Sequence, residues 1–431
     1  MKKTLILFIG LVLFLPSLSF AQSIDKALES LSKEYNFTYE TLDKGDVYNE
    51  RYLLWFEQEL APKNPDSKTF KQRVFISHRD VKKPVVFVTE GYWASYAEYP
   101  NYSNQISDIL DANQIVVEHR FFPPSVPDSS VFDWKYLTIE NAAMDHHRII
   151  EVLKHIYPEK WLSTGISKGG QTAIYHKYFY PNDVAVSVPI VAPINFSTKE
   201  QRVFNFLKTV GTDACRKKIK DFQIDLLKNK KEYLPIFKEL AKLHHQTYNK
   251  VGGVSKAYEL TVFEYSFAFW QWGNSCDIIP DTKVTGKEKI KNLDKISGMN
   301  WISDQGIKNQ QPFFYQTMSE FGMYAYDISD FKPWVSYDEN PEFTFTFPEG
   351  VDVVFKPEVH KKVDYFIRHE ATNMIFVVGE YDPWSSSSVD LTYSTNSLKF
   401  TKPGGSHTAR ILNLPKQDQE LLIKTLKEWM K

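Results

Sequence analysis

Residues 161–170 read Trp161-Leu162-Ser163-Thr164-Gly165-Ile166-Ser167-Lys168-Gly169-Gly170. The first six suit a strand buried on both faces, and a helix is predicted from Lys168 to Tyr180. The junction between them fits Gly-x-Ser-x-Gly with an added glycine. A nucleophilic serine on such a junction sits on a tight, strained turn, and a Cβ at the flanking positions would collide with strand or helix. The first turn of the following helix also aims backbone N–H groups at the place where an oxyanion would form. Ser167 is therefore read as the nucleophile.

Working outward, Pro84 to Val88 and Gln114 to Val117 are continuous apolar runs. Thr138 to Ile156 reads as a helix with Thr138 as its N-cap, and Asp183 to Val191 as another strand. Strands alternating with helices in this order indicate an α/β fold, a doubly wound and mostly parallel sheet of the α/β-hydrolase type. Ahead of it, Arg51 to Phe56 and Phe70 to Ile76 suggest an antiparallel hairpin. The βα rhythm stops at about residue 195. Lys-rich helical segments (216–249) and the cluster Phe267-Ala268-Phe269-Trp270-Gln271-Trp272 follow. Buried strands resume at Met374 to Val378 and Ser397 to Thr401, before a helix from Lys416 to Met430. The expected organisation is a catalytic core of residues 22–194 and 369–431, interrupted by a mainly helical cap, 195–368, over the carboxyl edge of the sheet.

A serine needs a base, and the base an orienting acid. In this fold the chain order is Ser, acid, His. Asp382 follows the strand at Met374 in Gly379-Glu380-Tyr381-Asp382-Pro383-Trp384, and His407 follows the next strand in Pro403-Gly404-Gly405-Ser406-His407. Glu380 is the rival acid. His360 and His369 are alternatives to His407, but they precede the acid's strand. The oxyanion donors are expected to be the Lys168 N–H and that of Gly91 or Tyr92, in the loop after the strand at Val85. The Lys168 side chain could serve as base in a Ser-Lys pair; with a histidine present, a surface or substrate-facing cation is expected.

The balance of 52 basic and 53 acidic side chains leaves no electrostatic reason to bind nucleic acid or an anionic membrane. Lys2 and Lys3, the apolar run Thr4 to Leu15, Pro16 and the small-x-small Ser19-Phe20-Ala21 read as a signal peptide, residues 1–21. The run falls short of the roughly 20 residues of a membrane span. A secreted or periplasmic chain, off the membrane after cleavage, is expected. Export permits a disulfide between Cys215 and Cys276, the two cysteines of the chain, with two buried thiols as the alternative. Neighbours on a helix, His146 and His147 diverge and cannot share a metal, so no metal site is expected.

The run from Ser163 to Ile194, Glu118-His119-Arg120-Phe121-Phe122 and Gly379 to Trp384 together resemble exported serine peptidases of the PS-ten type, the prolyl tri- and tetrapeptidyl aminopeptidases. These are similar in turn to the lysosomal Pro-X carboxypeptidase and dipeptidyl peptidase II group, which carries Ser-Tyr-Gly-Gly where this chain has Ser-Lys-Gly-Gly. The resemblance implies Ser167, Asp382 and His407 as catalytic residues and no metal or organic cofactor. The implied reaction releases short peptides from a free N-terminus, preferably after proline. A carboxylate should then meet the substrate ammonium; Glu264 and Glu320 are the candidates. Trp384, Trp270 and Trp272 could supply a flat apolar pocket for the proline ring, and Glu118-His119-Arg120 is read as bracing. Two other readings fit the same elbow: an esterase or lipase, and an inactive hydrolase-fold binding protein.

Overall fold

The computed structural model describes residues 23–281, 283–394 and 396–431; the expected signal segment lies outside the described residues. Nine strands are β1 (Phe37–Thr41), β2 (Glu50–Glu59), β3 (Thr69–His78), β4 (Val85–Thr89), β5 (Asn113–Val117), β6 (Trp161–Ile166), β7 (Val186–Ile190), β8 (Met374–Gly379) and β9 (Ser397–Lys402). Among the described residues they form one sheet in the order β1-β2-β3-β5-β4-β6-β7-β8-β9. From β5 to β9 every neighbour is parallel. The expected hairpin is present as β2 and β3, with β1 added antiparallel at its outer edge. This is the α/β-hydrolase architecture.

Residues of β4, β5 and β7 are buried throughout, which is why these strands read as continuous apolar runs rather than alternating ones. Val85 and Phe87 pack on one face with Ile149 and Leu153 of the helix Ile139–Lys154, while Val86 and Val88 pack on the other with Ala97 and Ile106. Thr138 caps that helix by accepting from the Asn141 N–H at 3.1 Å. The chain places β5 on one side of β4 and β6 on the other. That reversal opens a crevice at the carboxyl ends of β4 and β6, and Ser167 stands there.

Between β7 and β8 the described residues hold helices and turns but no strand. The helix Val254–Gln271 is central, burying residues around its whole circumference against Asp213–Lys228, Lys230–Leu243 and Gly286–Ser297. A disulfide joins Cys215 to Cys276, with Cα atoms 5.7 Å apart, and ties Asp213–Lys228 to the turn after the central helix. The helix Glu358–His369, all but its last residue inside the stretch expected as the cap, packs Val363, Phe366 and Ile367 against Ile174 of the helix Lys168–Phe179 and Met374 of β8.

Candidate active site

Ser167 has φ 56° and ψ −122° between β6 and the helix Lys168–Phe179. Such a backbone costs a non-glycine residue about 1–3 kcal/mol. It is held by the Ser167 N–H donating to the Ile190 carbonyl and the Gln171 N–H donating to the Ser167 carbonyl, each at 2.9 Å. The glycines are sterically required. A Cβ on Gly165 would lie 2.2 Å from the Gly169 oxygen, and one on Gly169 would lie 2.6 Å from the Thr89 oxygen. Strand, elbow and helix touch backbone to backbone, which is what turns the serine outward.

Asp382 and His407 come from consecutive strand ends. Asp382 is fully buried; its Oδ2 accepts from His407 Nδ1 at 2.7 Å and its Oδ1 from the Trp384 N–H at 3.2 Å. The two loops meet because β8 ends in Gly379, where a Cβ would be 2.3 Å from the Ser406 oxygen. With Nδ1 committed to Asp382, the free ring nitrogen of His407 is Nε2. The His407 N–H donates to the carbonyl of Gln271, the last residue of the helix Val254–Gln271, at 2.9 Å. Glu380 instead braces the loop, accepting from the Gly404 N–H at 2.6 Å. His360 is bonded to the Tyr175 hydroxyl and the Asn195 carbonyl, and His369 stacks between Tyr365 and Tyr393. Neither lies beside Asp382.

Ser167 and His407 line a cavity of about 1140 Å³, together with Glu264, Trp384, Trp272 and Tyr92. Glu264 is buried, and its Oε2 accepts from the hydroxyls of Tyr324 at 2.8 Å and Tyr326 at 2.6 Å. Burial pushes its carboxyl up to about 7, against the pull of those two hydroxyls. Trp384 meets the rings of Phe267 and Tyr324 edge-on at 5.2 and 5.4 Å, and Trp272, more than half exposed, stands edge-on to His407 at 6.2 Å. Tyr324 and Tyr326 were not singled out in the sequence; their signal is the alternation Met323-Tyr324-Ala325-Tyr326 in an extended segment after Gly322.

Three expectations are corrected. Glu320 lies outside the cavity lining and accepts from the Ile139 N–H at 2.8 Å, so it serves the first turn of the helix Ile139–Lys154. Trp270 is buried, packs edge-on against Phe269 and Tyr381, and lines a different cavity, one that does not include Ser167 or His407. Lys168 carries no surface cation. Its side chain is buried and donates from Nζ to the Gly91 carbonyl at 2.6 Å. Of the two oxyanion candidates in that loop, Tyr92 lines the cavity of Ser167 and Gly91 does not. The N–H groups of Tyr92 and Lys168 have no protein acceptor among the described residues.

Glu118, His119 and Arg120 brace the site from behind. Glu118 pairs with Arg73 and accepts from the Ala94 N–H at 2.9 Å, and Arg120 pairs with Asp145 at 2.7 Å. Among the described residues no group of three or more His, Cys, Asp or Glu is arranged to hold a metal ion. No described helix is long and apolar enough to cross a membrane.

The family model described as PS-10 peptidase S37 matches residues 41–430. The prolyl tri/tetrapeptidyl aminopeptidase of Streptomyces mobaraensis is 34% identical over 386 residues, covering 88% of this chain and 80% of that protein. Human lysosomal Pro-X carboxypeptidase is 28% identical over 176 residues, 37% of this chain and 36% of its own. Among solved structures, the proline iminopeptidase of Mycobacterium smegmatis aligns over 91% of this chain and 99% of its own, at 13% identity and a TM-score of 0.39.

Proposed function

The chain belongs to the PS-10 peptidase S37 family, and from that premise we propose that it is an exported serine exopeptidase that releases tri- and tetrapeptides from free N-termini, preferentially after proline. Its partners are peptides, with no role for nucleic acid, membrane or cofactor. Ser167 Oγ attacks the scissile carbonyl while His407 Nε2 takes its proton, and Asp382 stabilises the imidazolium through Nδ1. The oxyanion is received by the N–H groups of Lys168 and Tyr92. His407 then passes the proton to the departing amine, and water releases the acyl peptide by the reverse sequence. Within residues 195–368, segments between Glu264 and Phe343 act as the cap that walls the cavity, while the helix Glu358–His369 packs on the core. The name of the Streptomyces relative supports the tri/tetrapeptide length and the proline preference, and the basic, apolar and small-residue pattern of residues 1–21 supports export.

One observation carries the exopeptidase reading. A buried carboxylate, Glu264, shares the cavity of Ser167 and His407, and two hydroxyls hold one of its oxygens, leaving the other for a cation. A substrate ammonium is the natural partner for such a group. Release of fluorophore from an Ala-Ala-Pro substrate, with and without an N-terminal acyl block, tests it in wild type and Ser167→Ala. Cleavage of the free-amine substrate about a hundredfold or more faster than that of the blocked one, with both abolished in the variant, is expected. Equal cleavage of both substrates would point to an endopeptidase, and hydrolysis of short-chain esters with peptides untouched would point to an esterase.

A further inference from the structure

We propose that the Lys168 side chain is a positioning residue of the oxyanion site, holding the Gly91 carbonyl so that the N–H of the same peptide unit, that of Tyr92, faces the reacting carbonyl. The inference rests on the serine-peptidase reading above and concerns how its oxyanion site is held.

The geometry is that of one peptide plane. The Gly91 carbonyl and the Tyr92 N–H belong to a single trans amide, since the cis bond among the described residues is Pro123–Pro124. In a trans amide these two groups point in opposite directions. Lys168 Nζ lies 2.6 Å from the Gly91 oxygen, so whatever fixes that oxygen also fixes the aim of the N–H. The chain on either side is tied independently: the Glu90 N–H, of the Thr89–Glu90 unit, donates to the Val117 carbonyl at 3.1 Å, and the Tyr92 carbonyl, of the next unit, accepts from the His119 N–H at 3.0 Å. Among the described residues, the Tyr92 N–H has no acceptor. A Cβ on Gly91 would lie 2.6 Å from both Cβ and Cγ of Lys168. The lysine stem therefore lies flat on the glycine, and no other residue at 91 leaves room for it.

The lysine's surroundings fit a fixed donor rather than a base or a surface cation. Its Nζ stands over the rings of Tyr92, Phe122 and Phe321 at 5.6, 5.0 and 5.2 Å, faces that attract a cation. Desolvation pulls its ammonium well below the usual lysine range, while the Glu90 carboxylate opposes that shift. Among the described residues it makes no bond to Ser167, as a Ser-Lys base would need. A donor on the amide oxygen also polarises the amide and strengthens its N–H toward a developing negative charge. Because the oxyanion exists only after attack, the contribution belongs to the transition state rather than to substrate binding.

Lys168→Met keeps the stem and removes the donor. Loss of one oxyanion donor costs about 10²–10³-fold in kcat; misaiming one rather than deleting it should cost about 10–100-fold, with KM within about threefold. Affinity for a peptidyl trifluoromethyl ketone, which forms an oxyanion with the enzyme, should fall in the same proportion. Affinity for the released tripeptide, which forms none, should not. Lys168→Arg, which restores an N–H donor, should recover part of the loss. Lys168→Gln falls short of the Gly91 oxygen and carries the same expectation as Met if the Met variant does not fold. A folded Met or Gln variant with kcat within threefold of wild type overturns the proposal. So does a variant in which KM and tripeptide affinity worsen as much as kcat, the mark of a merely structural role. Ser167→Ala separates the two levels. If it stays active, the serine-peptidase reading fails; if it is inactive while Lys168→Met turns over normally, the lysine proposal alone fails.

Discussion

Replacing Glu264 with Gln changes charge and little else. In the wild type, Tyr324 and Tyr326 both donate to Oε2. The glutamine amide can meet those hydroxyls with its carbonyl oxygen, so the local packing survives. Its NH2 then turns toward the position of the substrate ammonium, and a donor faces a donor. Hydrogen bonds to charged groups contribute about 1.5–3 kcal/mol. Burial of Glu264 and the reversed polarity put this one near the upper end, so kcat/KM for a free-amine substrate should fall by about 150-fold at about 1.4 kcal/mol per decade. An N-acylated substrate has no ammonium to lose and should change by less than about threefold. The assay is initial-rate cleavage of Ala-Ala-Pro fluorogenic substrates, free and N-acetylated, from pH 5 to 9. The ratio of the two kcat/KM values cancels every contribution the two substrates share. The Glu264 carboxyl is raised to about 7, so it becomes neutral as pH falls through that value, and the wild-type ratio should fall with it. Above about pH 8 the ratio should fall again as the peptide amine deprotonates. The Gln variant should lack the acidic limb. Undiminished discrimination by the variant, or a wild-type ratio constant from pH 5 to 7, would refute the clamp.

The other expectations are more direct. Asp382→Asn, which spoils the 2.7 Å bond to His407 Nδ1, should lower kcat by about 10⁴-fold with the melting temperature nearly unchanged; single-turnover rates and calorimetry check both. Trp270→Ala removes a buried ring outside the Ser167 cavity, so it should cost about 3–5 kcal/mol of stability and leave KM within about twofold; a raised KM at full stability would contradict that placement. Reducing the Cys215–Cys276 bridge, which closes a loop of sequence separation 61, should destabilise by about 4 kcal/mol. It should leave kcat of the folded fraction unchanged, as denaturant titration alongside activity would show. Glu320→Gln should cost no more than about 2 kcal/mol through the helix it serves and leave the free-to-blocked substrate ratio alone.

The elbow, the parallel sheet and the order of Ser167, Asp382 and His407 were legible in the sequence because each follows from a local requirement. The glycine at 165 is demanded by a backbone atom four residues on, the one at 169 by the neighbouring strand β4 that any such elbow lies against, and strands buried on both faces must be apolar at every position. The strand that carries each catalytic loop also fixes which end of the sheet its residue reaches. The choice between neighbours was different. Asp382 and Glu380 share a loop, Glu264 and Glu320 both sit among aromatic residues, and Trp270 and Trp272 are two positions apart. In each pair, one residue reaches the cavity or the histidine and the other does not. Helix rotation decides the tryptophans. Long-range packing decides the glutamates, since Tyr324 and Tyr326 arrive from 60 and 62 residues away while the Ile139 N–H captures Glu320 from a distance of 181 residues. Lys168 shows the division most plainly. Its place beside the nucleophile is a matter of sequence, but its aim at the Gly91 carbonyl, 77 positions earlier, is set by β4 and β6 lying side by side, because the sheet rather than the chain brings that loop within reach of its ammonium.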